Sequence, residues 1–131
     1  LMESLSYSGI GGKRSAGLGR FQLSFGTLPP ALHERLGKKG ETYMTLSVSL
    51  QTDDELESAL EGAEYLLIKR SGFVASGEYA KEQRRRRDLY VLKAGACIRR
   101  PYQGDVYDVA DPDGGHPVYR YARPMFMEVD V

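Results

Sequence analysis

Residues Gly9 to Phe21, Gly-Ile-Gly-Gly-Lys-Arg-Ser-Ala-Gly-Leu-Gly-Arg-Phe, gather the groups best suited to holding an anion. Five of the fifteen glycines (Gly9, Gly11, Gly12, Gly17, Gly19) fall here, around the cations Lys13, Arg14 and Arg20 and the hydroxyl of Ser15. Glycine admits positive φ and close backbone approach. Successive main-chain N–H groups in such a loop form an anion-binding nest, and interleaved cations add charge where a phosphate would sit. The chemistry is capture of a polyanion; the bland alternative is a flexible connector, against which the interleaved cations and the anchors Leu18 and Phe21 count.

Nucleotide-binding motifs do not fit. A P-loop would need glycine five residues before Gly12, where Tyr7 stands, and Ser or Thr after Lys13, where Arg14 stands. A dinucleotide fingerprint from Gly9 would put its third glycine at Arg14, and Leu1 to Leu5 reads as the end of a helix rather than a strand.

Other reactive groups are few. His33 lies in Pro29-Pro30-Ala31-Leu32-His33-Glu34-Arg35, a connector or short helix, and His116 sits in a turn between Gly115 and Pro117. Neither adjoins a nucleophile motif, and general acid–base work on RNA needs a donor and an acceptor about 3 Å from the reacting oxygens. Both histidines read as structural, so no catalytic residue is assigned. Asp105, Asp108, Asp111 and Asp113 lack the spacing and closing Glu of a calcium loop. No metal ligand set or cofactor is expected.

Charge is balanced overall, with 18 basic and 18 acidic residues, but segregated. Residues 53 to 64 carry six acidic groups and no basic one, whereas residues 81 to 100 carry eight basic groups against Glu82 and Asp88. One face for an anionic partner and another turned away, or toward a basic protein, is the expectation. The arginine run Arg84–Arg87 reads equally as a grip on RNA phosphates and as a solvated loop. Arg99 and Arg100 should point to opposite faces in a strand unless Pro101 has already broken it. Tyr119 and Tyr121 share a strand face, where packing under a loop is favoured over stacking on bases. The lone Cys97 excludes an internal disulfide and suits a reducing cytoplasm. No apolar run reaches membrane-spanning length and no secretory signal is visible.

The positioning elements follow from periodicity. Residues 1 to 6 read as a helix tail, Arg20 to Phe25 as a short strand, and residues 27 to 42 as a connector around Pro29-Pro30 that ends in a solvated turn. Tyr43 to Leu50 alternates Met44, Leu46, Val48 and Leu50 with Tyr43, Thr45, Ser47 and Ser49, the pattern of a half-buried strand. A helix follows, with Thr52-x-x-Glu55 as capping box, Leu56, Ala59 and Leu60 as apolar stripe, and Gly62 as its stop. The acids of this segment are read as a solvated helix surface. Tyr65 to Val74, Leu89 to Ile98 and Val118 to Val129 complete the strands, with a polar loop between the first two and Pro124 marking a bulge or edge. The order predicts an α+β domain with an antiparallel sheet.

Three stretches carry a resemblance: the glycine-rich loop Ser8–Phe21; Leu92-Lys-Ala-Gly-Ala-Cys-Ile-Arg-Arg-Pro101 with Gly104-Asp-Val-Tyr-Asp-Val109; and His116-Pro-Val-Tyr-Arg-Tyr-Ala-Arg-Pro-Met-Phe126. In this order they resemble the RAMP superfamily of CRISPR RNA-binding proteins and, more narrowly, the fourth-subunit family of the type III-A (Csm) interference complex. The likeness covers most of the chain, though residues 27 to 88 contribute little. It implies a C-terminal part of a longer protein, in which residues 1–26 belong with a preceding domain, 27–42 connect, and 43–131 form a ferredoxin-like (RAMP/RRM-like) domain whose second helix is replaced by the loop 101–117. It further implies a non-catalytic subunit that holds the 5′ tag of CRISPR RNA and caps one end of the complex, beside the large palm-domain subunit and the repeating backbone subunit. The RNA contacts it implies are Gly9, Gly11, Gly12, Lys13, Arg14, Ser15, Gly17, Gly19, Arg20, Arg99 and Arg100. A processing endoribonuclease of the superfamily and a purely protein-assembling domain are the alternatives.

Overall fold

The computed structural model describes residues 1–74, 78 and 80–130. Part of the polar loop expected between Val74 and Leu89, namely residues 75–77 and 79, lies outside the described residues, as does residue 131. The chain divides into two compact units, Leu1–Pro30 and Ala31–Val131. Among the described residues no helix is long and apolar enough to cross a membrane.

In the first unit, helix α1 (Met2–Ser8) ends where the Gly9 amide donates to Leu5 O at 2.8 Å. Ser6 faces inward and donates to Glu3 O at 2.7 Å. The strand expected over Arg20 to Phe25 does not form. Among the described residues that segment has no ladder partner, and the Phe21 amide bonds to Ser6 O at 3.3 Å, linking it to the helix.

Helix α2 (Pro30–Gly37) occupies the expected connector. Pro30 is its first residue, where a missing N–H costs nothing, so the proline pair starts a helix rather than excluding one. The second unit is then built on antiparallel pairs. Strand β1 (Tyr43–Thr45) lies between β4 (Cys97–Ile98) and β7 (Phe126–Glu128), while β2 (Leu67–Arg70) pairs with β3 (Leu89–Leu92). Isolated bridges Ser49↔Leu92 and Glu64↔Cys97 extend the pairing, and β3 leads into β4 through a turn at Lys93–Ala96. Read across, the neighbours are β7, β1, the β4–β3 segment and β2, which is compatible with a ferredoxin-like arrangement. Between Tyr65 and Val74 the named strand is only Leu67–Arg70, and the single strand expected over Leu89 to Ile98 is two.

The helix after β1 is short. Thr52–Glu55 forms a turn and α3 spans Leu56–Leu60, with Gly62 beyond its end. Half of the expected capping box is present: Thr52 N–H donates to Glu55 Oε2 at 3.1 Å. The same carboxylate accepts from Gln103 N–H at 2.8 Å and Gly104 N–H at 3.1 Å. Burial pushes the Glu55 carboxyl up, but these backbone donors outweigh it and hold it below its ordinary range.

The loop expected over 101–117 contains strand β5 (Val106–Asp108), which pairs with β6 (Tyr119–Tyr121) as a hairpin. Its four-residue break from β7, at Ala122–Met125, contains Pro124, so the final strand foreseen as one is two. Gly104 passes beneath this junction with φ of 60°; a Cβ there would lie 2.6 Å from Leu50 O and 2.9 Å from Ala122 O.

The core gathers Ala59, Ile98 and Tyr102, flanked by Tyr43, Ala63 and Phe126. The Tyr102 and Phe126 rings meet edge to face with centroids 5.4 Å apart. The face of β1 departs from expectation: Thr45 and Ser49 are buried while Leu46 is exposed. Local bonds explain it. Thr45 Oγ1 accepts from Ala96 N–H at 3.1 Å, and Ser49 Oγ lies 2.6 Å from Tyr102 OH. Each buried hydroxyl thus has a partner, which removes the desolvation cost of placing it inside.

Candidate nucleic-acid interface

The glycine loop is bent at four left-handed positions, Gly9, Gly11, Gly17 and Gly19, with φ of 81°, 106°, 79° and 83°. Its ends are clasped together by Ile10 N–H donating to Gly19 O at 2.9 Å. A Cβ on Gly19 would run into the Ile10 carbonyl, so only glycine closes this clasp. Arg14–Ala16 makes a single 3-10 turn at the tip, where Ala16, Gly17 and Leu18 donate back to Lys13 and Arg14 carbonyls.

Everything from Ile10 to Arg20 is exposed. Among the described residues, the amides of Gly11, Gly12 and Lys13 donate to no group of the chain, and Lys13, Arg14 and Arg20 have no ion-pair partner. The loop presents free backbone donors, three exposed cations and the Ser15 hydroxyl on one short segment. Beside it, Arg20 lines a shallow groove with Tyr7, Phe21 and Phe25.

Arg99 and Arg100 belong to the second unit, Ala31–Val131. Strand β4 ends at Ile98, before either residue, and the expected opposite-facing geometry is lost. Both are exposed and lean toward the segment after α3. Arg100 Nη2 pairs with Glu61 at 2.9 Å in a depression also lined by Asp54 and Glu57, and the Arg99 side chain covers Gly62. Phosphate would meet carboxylates beside Arg100.

The arginine run has a defined internal role. Arg84 Nη1 lies 3.3 Å from both Asp111 and Asp113, Arg85 reaches Asp88 at 3.4 Å, Arg86 donates to Ser71 O at 2.8 Å, and Arg87 to Asp108 O at 2.7 Å. Neither reading from sequence anticipated this stapling, because apart from Asp88 the carbonyls and acids involved lie 15 to 29 residues away in sequence. Tyr119 and Tyr121 are not packed under a loop: they are 69% and 67% exposed on one face of β6. The alternation that puts them outside puts Arg120 on the half-buried side. That was the available signal for Arg120; nothing in the sequence marked Arg70 beside it.

His33 is exposed on α2. His116 Nδ1 lies 2.9 Å from Pro117 O in a cleft shared with Asp108, Asp111 and Arg87. The Asp108 carboxylate accepts from Ala110 N–H at 2.9 Å and Val118 N–H at 3.0 Å, and these bonds hold it below the ordinary range. These bonds favour its ionised form and shape the loop. Among the described residues no three His, Cys, Asp or Glu side chains are placed to hold a metal.

The family description "CRISPR Csm4 C-terminal domain" matches residues 38–129. The chain is 50% identical over 120 residues to the CRISPR system Cms protein Csm4 of Mycobacterium tuberculosis, covering 92% of this chain and 39% of that protein. It is 42% identical over 132 residues to the Streptococcus thermophilus protein of the same name, covering 100% and 44%. The Methanocaldococcus jannaschii protein is 27% identical over 139 residues, covering 91% and 36%. The chain therefore spans less than half the length of these relatives. With the family's domain matched over most of its residues, the chain belongs to the Csm4 family of CRISPR proteins and carries its C-terminal domain.

Proposed function

We propose that this chain is the C-terminal part of a non-catalytic RNA-binding subunit of a cytoplasmic type III-A CRISPR effector complex. In this reading it holds the 5′ tag of the CRISPR RNA and caps one end of the assembly, on a RAMP-type, ferredoxin-like scaffold. The large palm-domain subunit and the repeating backbone subunit are its protein neighbours. The carrying observation is the Gly11–Ser15 segment, exposed throughout, with amides of Gly11, Gly12 and Lys13 and cations that no group among the described residues occupies.

The mechanism is backbone capture. Amides of the glycine-bent loop donate to phosphate oxygens, Lys13 and Arg14 neutralise the charge, and Ser15 adds a hydroxyl contact. Arg20 extends the cationic track. Contacts of this kind fix the position of a strand without reading its bases. Preference for a tag then comes from splayed bases meeting aromatic rings, and the exposed Tyr119 and Tyr121 offer such faces.

The test is RNA binding by Lys13→Ala with Arg14→Ala across a range of salt. Affinity should fall for all sequences alike, and the log–log salt slope should flatten by about one to two units, at roughly 0.7 per single-strand phosphate contact. An unchanged slope would remove phosphate contact by these residues.

A further inference from the structure

Three arginines of the second unit lack the internal ion pairs made by their neighbours. In the β5–β6 register Arg120 stands opposite Tyr107 on the half-buried side of the hairpin, away from the exposed tyrosines. In the β2–β3 register Arg70 stands opposite Leu89, on the same side as Ile68 and the buried Val91. Arg86 lies on the segment entering β3, its amide bonded to Gly72 O at 3.0 Å and its Nη2 donating to Ser71 O at 2.8 Å, which leaves the other donors of its fork for a ligand. The adjacent Arg87 amide donates to Val109 O at 2.8 Å, which ties this segment to the end of β5.

All three are half-buried. Burial lowers the Arg120 guanidinium first, and the charges of Arg86 and Arg70 lower it further. Arg70 Nε is buried without a hydrogen-bond partner. Among the described residues none of the three reaches a carboxylate, although Arg84, Arg85, Arg100 and Arg123 each do. Arginine cannot escape the repulsion by losing its proton. Like charges held in a half-dry setting, with one N–H orphaned, make an arrangement that an anion completes.

We propose that Arg70, Arg86 and Arg120 form a phosphate-binding site for an RNA backbone, separate from the glycine loop. Planar donor forks arriving from three segments suit the diverging oxygens of a phosphate better than the two coplanar oxygens of a carboxylate. The choice of RNA as the source of that phosphate rests on the RNA-binding reading above; the anion chemistry does not.

The test uses the whole 131-residue chain. Thermal midpoint is measured against inorganic phosphate, and binding of short poly-uridylate against salt, for the unaltered chain, for Arg70→Gln with Arg120→Gln, and for Lys13→Ala with Arg14→Ala. Phosphate should raise the midpoint of the unaltered chain and of the loop variant. The Arg70/Arg120 variant should be no less stable without ligand, because repulsion is relieved, and should lose the part of the phosphate response that the loop variant retains. Its RNA affinity should fall about tenfold, with a salt slope lower by about one unit.

A phosphate response as large in this variant as in the unaltered chain, or none in the unaltered chain, overturns the site. So does poly-aspartate producing the response while poly-uridylate does not. RNA binding lost only in the loop variant overturns this inference and leaves the loop reading intact; the reverse does the opposite. Should the double variant fail to fold, the Arg70 Nε–H resonance of the unaltered chain decides: it shifts with phosphate and with poly-uridylate, or the proposal fails.

Discussion

The glycine loop and the Arg84–Arg87 run look alike in the sequence, each a cluster of cations in an irregular segment, yet the fold treats them oppositely. In the loop, Lys13 and Arg14 project from exposed backbone and, among the described residues, have no internal partner. In the run, each guanidinium has an acceptor, and two of those acceptors are carbonyls that no change of side chain would remove. The lesson concerns which charges are free to meet a ligand. Positive charge near glycine stays available, because the bend uses the amides of Ile10, Ala16, Gly17 and Leu18 and leaves the cationic side chains out of it. Positive charge opposite a hairpin end is tied first to the hairpin itself, and of the run the proposed anion site draws on Arg86 alone.

The largest effect that could break this contrast is Gly19→Ala. A side chain there meets both the positive φ, worth about 1–2 kcal/mol, and the Ile10 carbonyl. The clasp should open, and RNA binding should drop at least as far as with the Lys13/Arg14 pair of changes. Gly17→Ala is the matched control, since its φ is 79° but nothing lies within 4 Å of a new Cβ. If Gly19→Ala binds RNA normally in a mobility-shift titration, the backbone is not the binder.

Next in size is Glu55→Gln, which sharpens the comparison from the other side by weakening a purely internal anion site. Three amides lose a charged acceptor, and chemical denaturation should show a loss of about 1.5–3 kcal/mol. The sign with pH follows from the lowered folded-state value. The stabilisation is fully present above the unfolded carboxyl value and is lost as pH falls through the folded one. The acid limb of a stability–pH curve should therefore be shallower in the variant.

Smallest is Arg84→Ala, which removes exposed ion pairs. Stability should change by less than about 1 kcal/mol, and the salt slope of RNA binding should not move. A slope lowered by about 0.7 would mean that this arginine leaves its aspartates for phosphate, and the contrast would fail.

The class of fold was legible wherever local pattern and tertiary setting agree. Met2–Ser8, the antiparallel pairs and the break at Pro124 follow from periodicity and proline chemistry. What stayed hidden depends on distant partners. Strand β5 is too short to show alternation, and Pro30 reads as a breaker until it is seen in the first turn of α2. For the candidate site, the loop declared itself through composition. The arginine triad did not, since Arg70 and Arg120 are fifty residues apart in sequence and acquire meaning only through two separate registers.

The inward hydroxyls of Thr45 and Ser49 carry a consequence for how the chain finds its fold. Sliding β1 by one residue against its neighbours would turn Met44, Leu46 and Val48 inward, a choice that apolar content alone favours. The native alignment wins through Ala96 N–H and Tyr102 OH, both supplied by chain made some fifty residues later. Until that later segment arrives, the strand has a competing alignment with little to choose between them. The central strand is thus a point of frustration on the folding landscape, resolved by two hydrogen bonds rather than by grease.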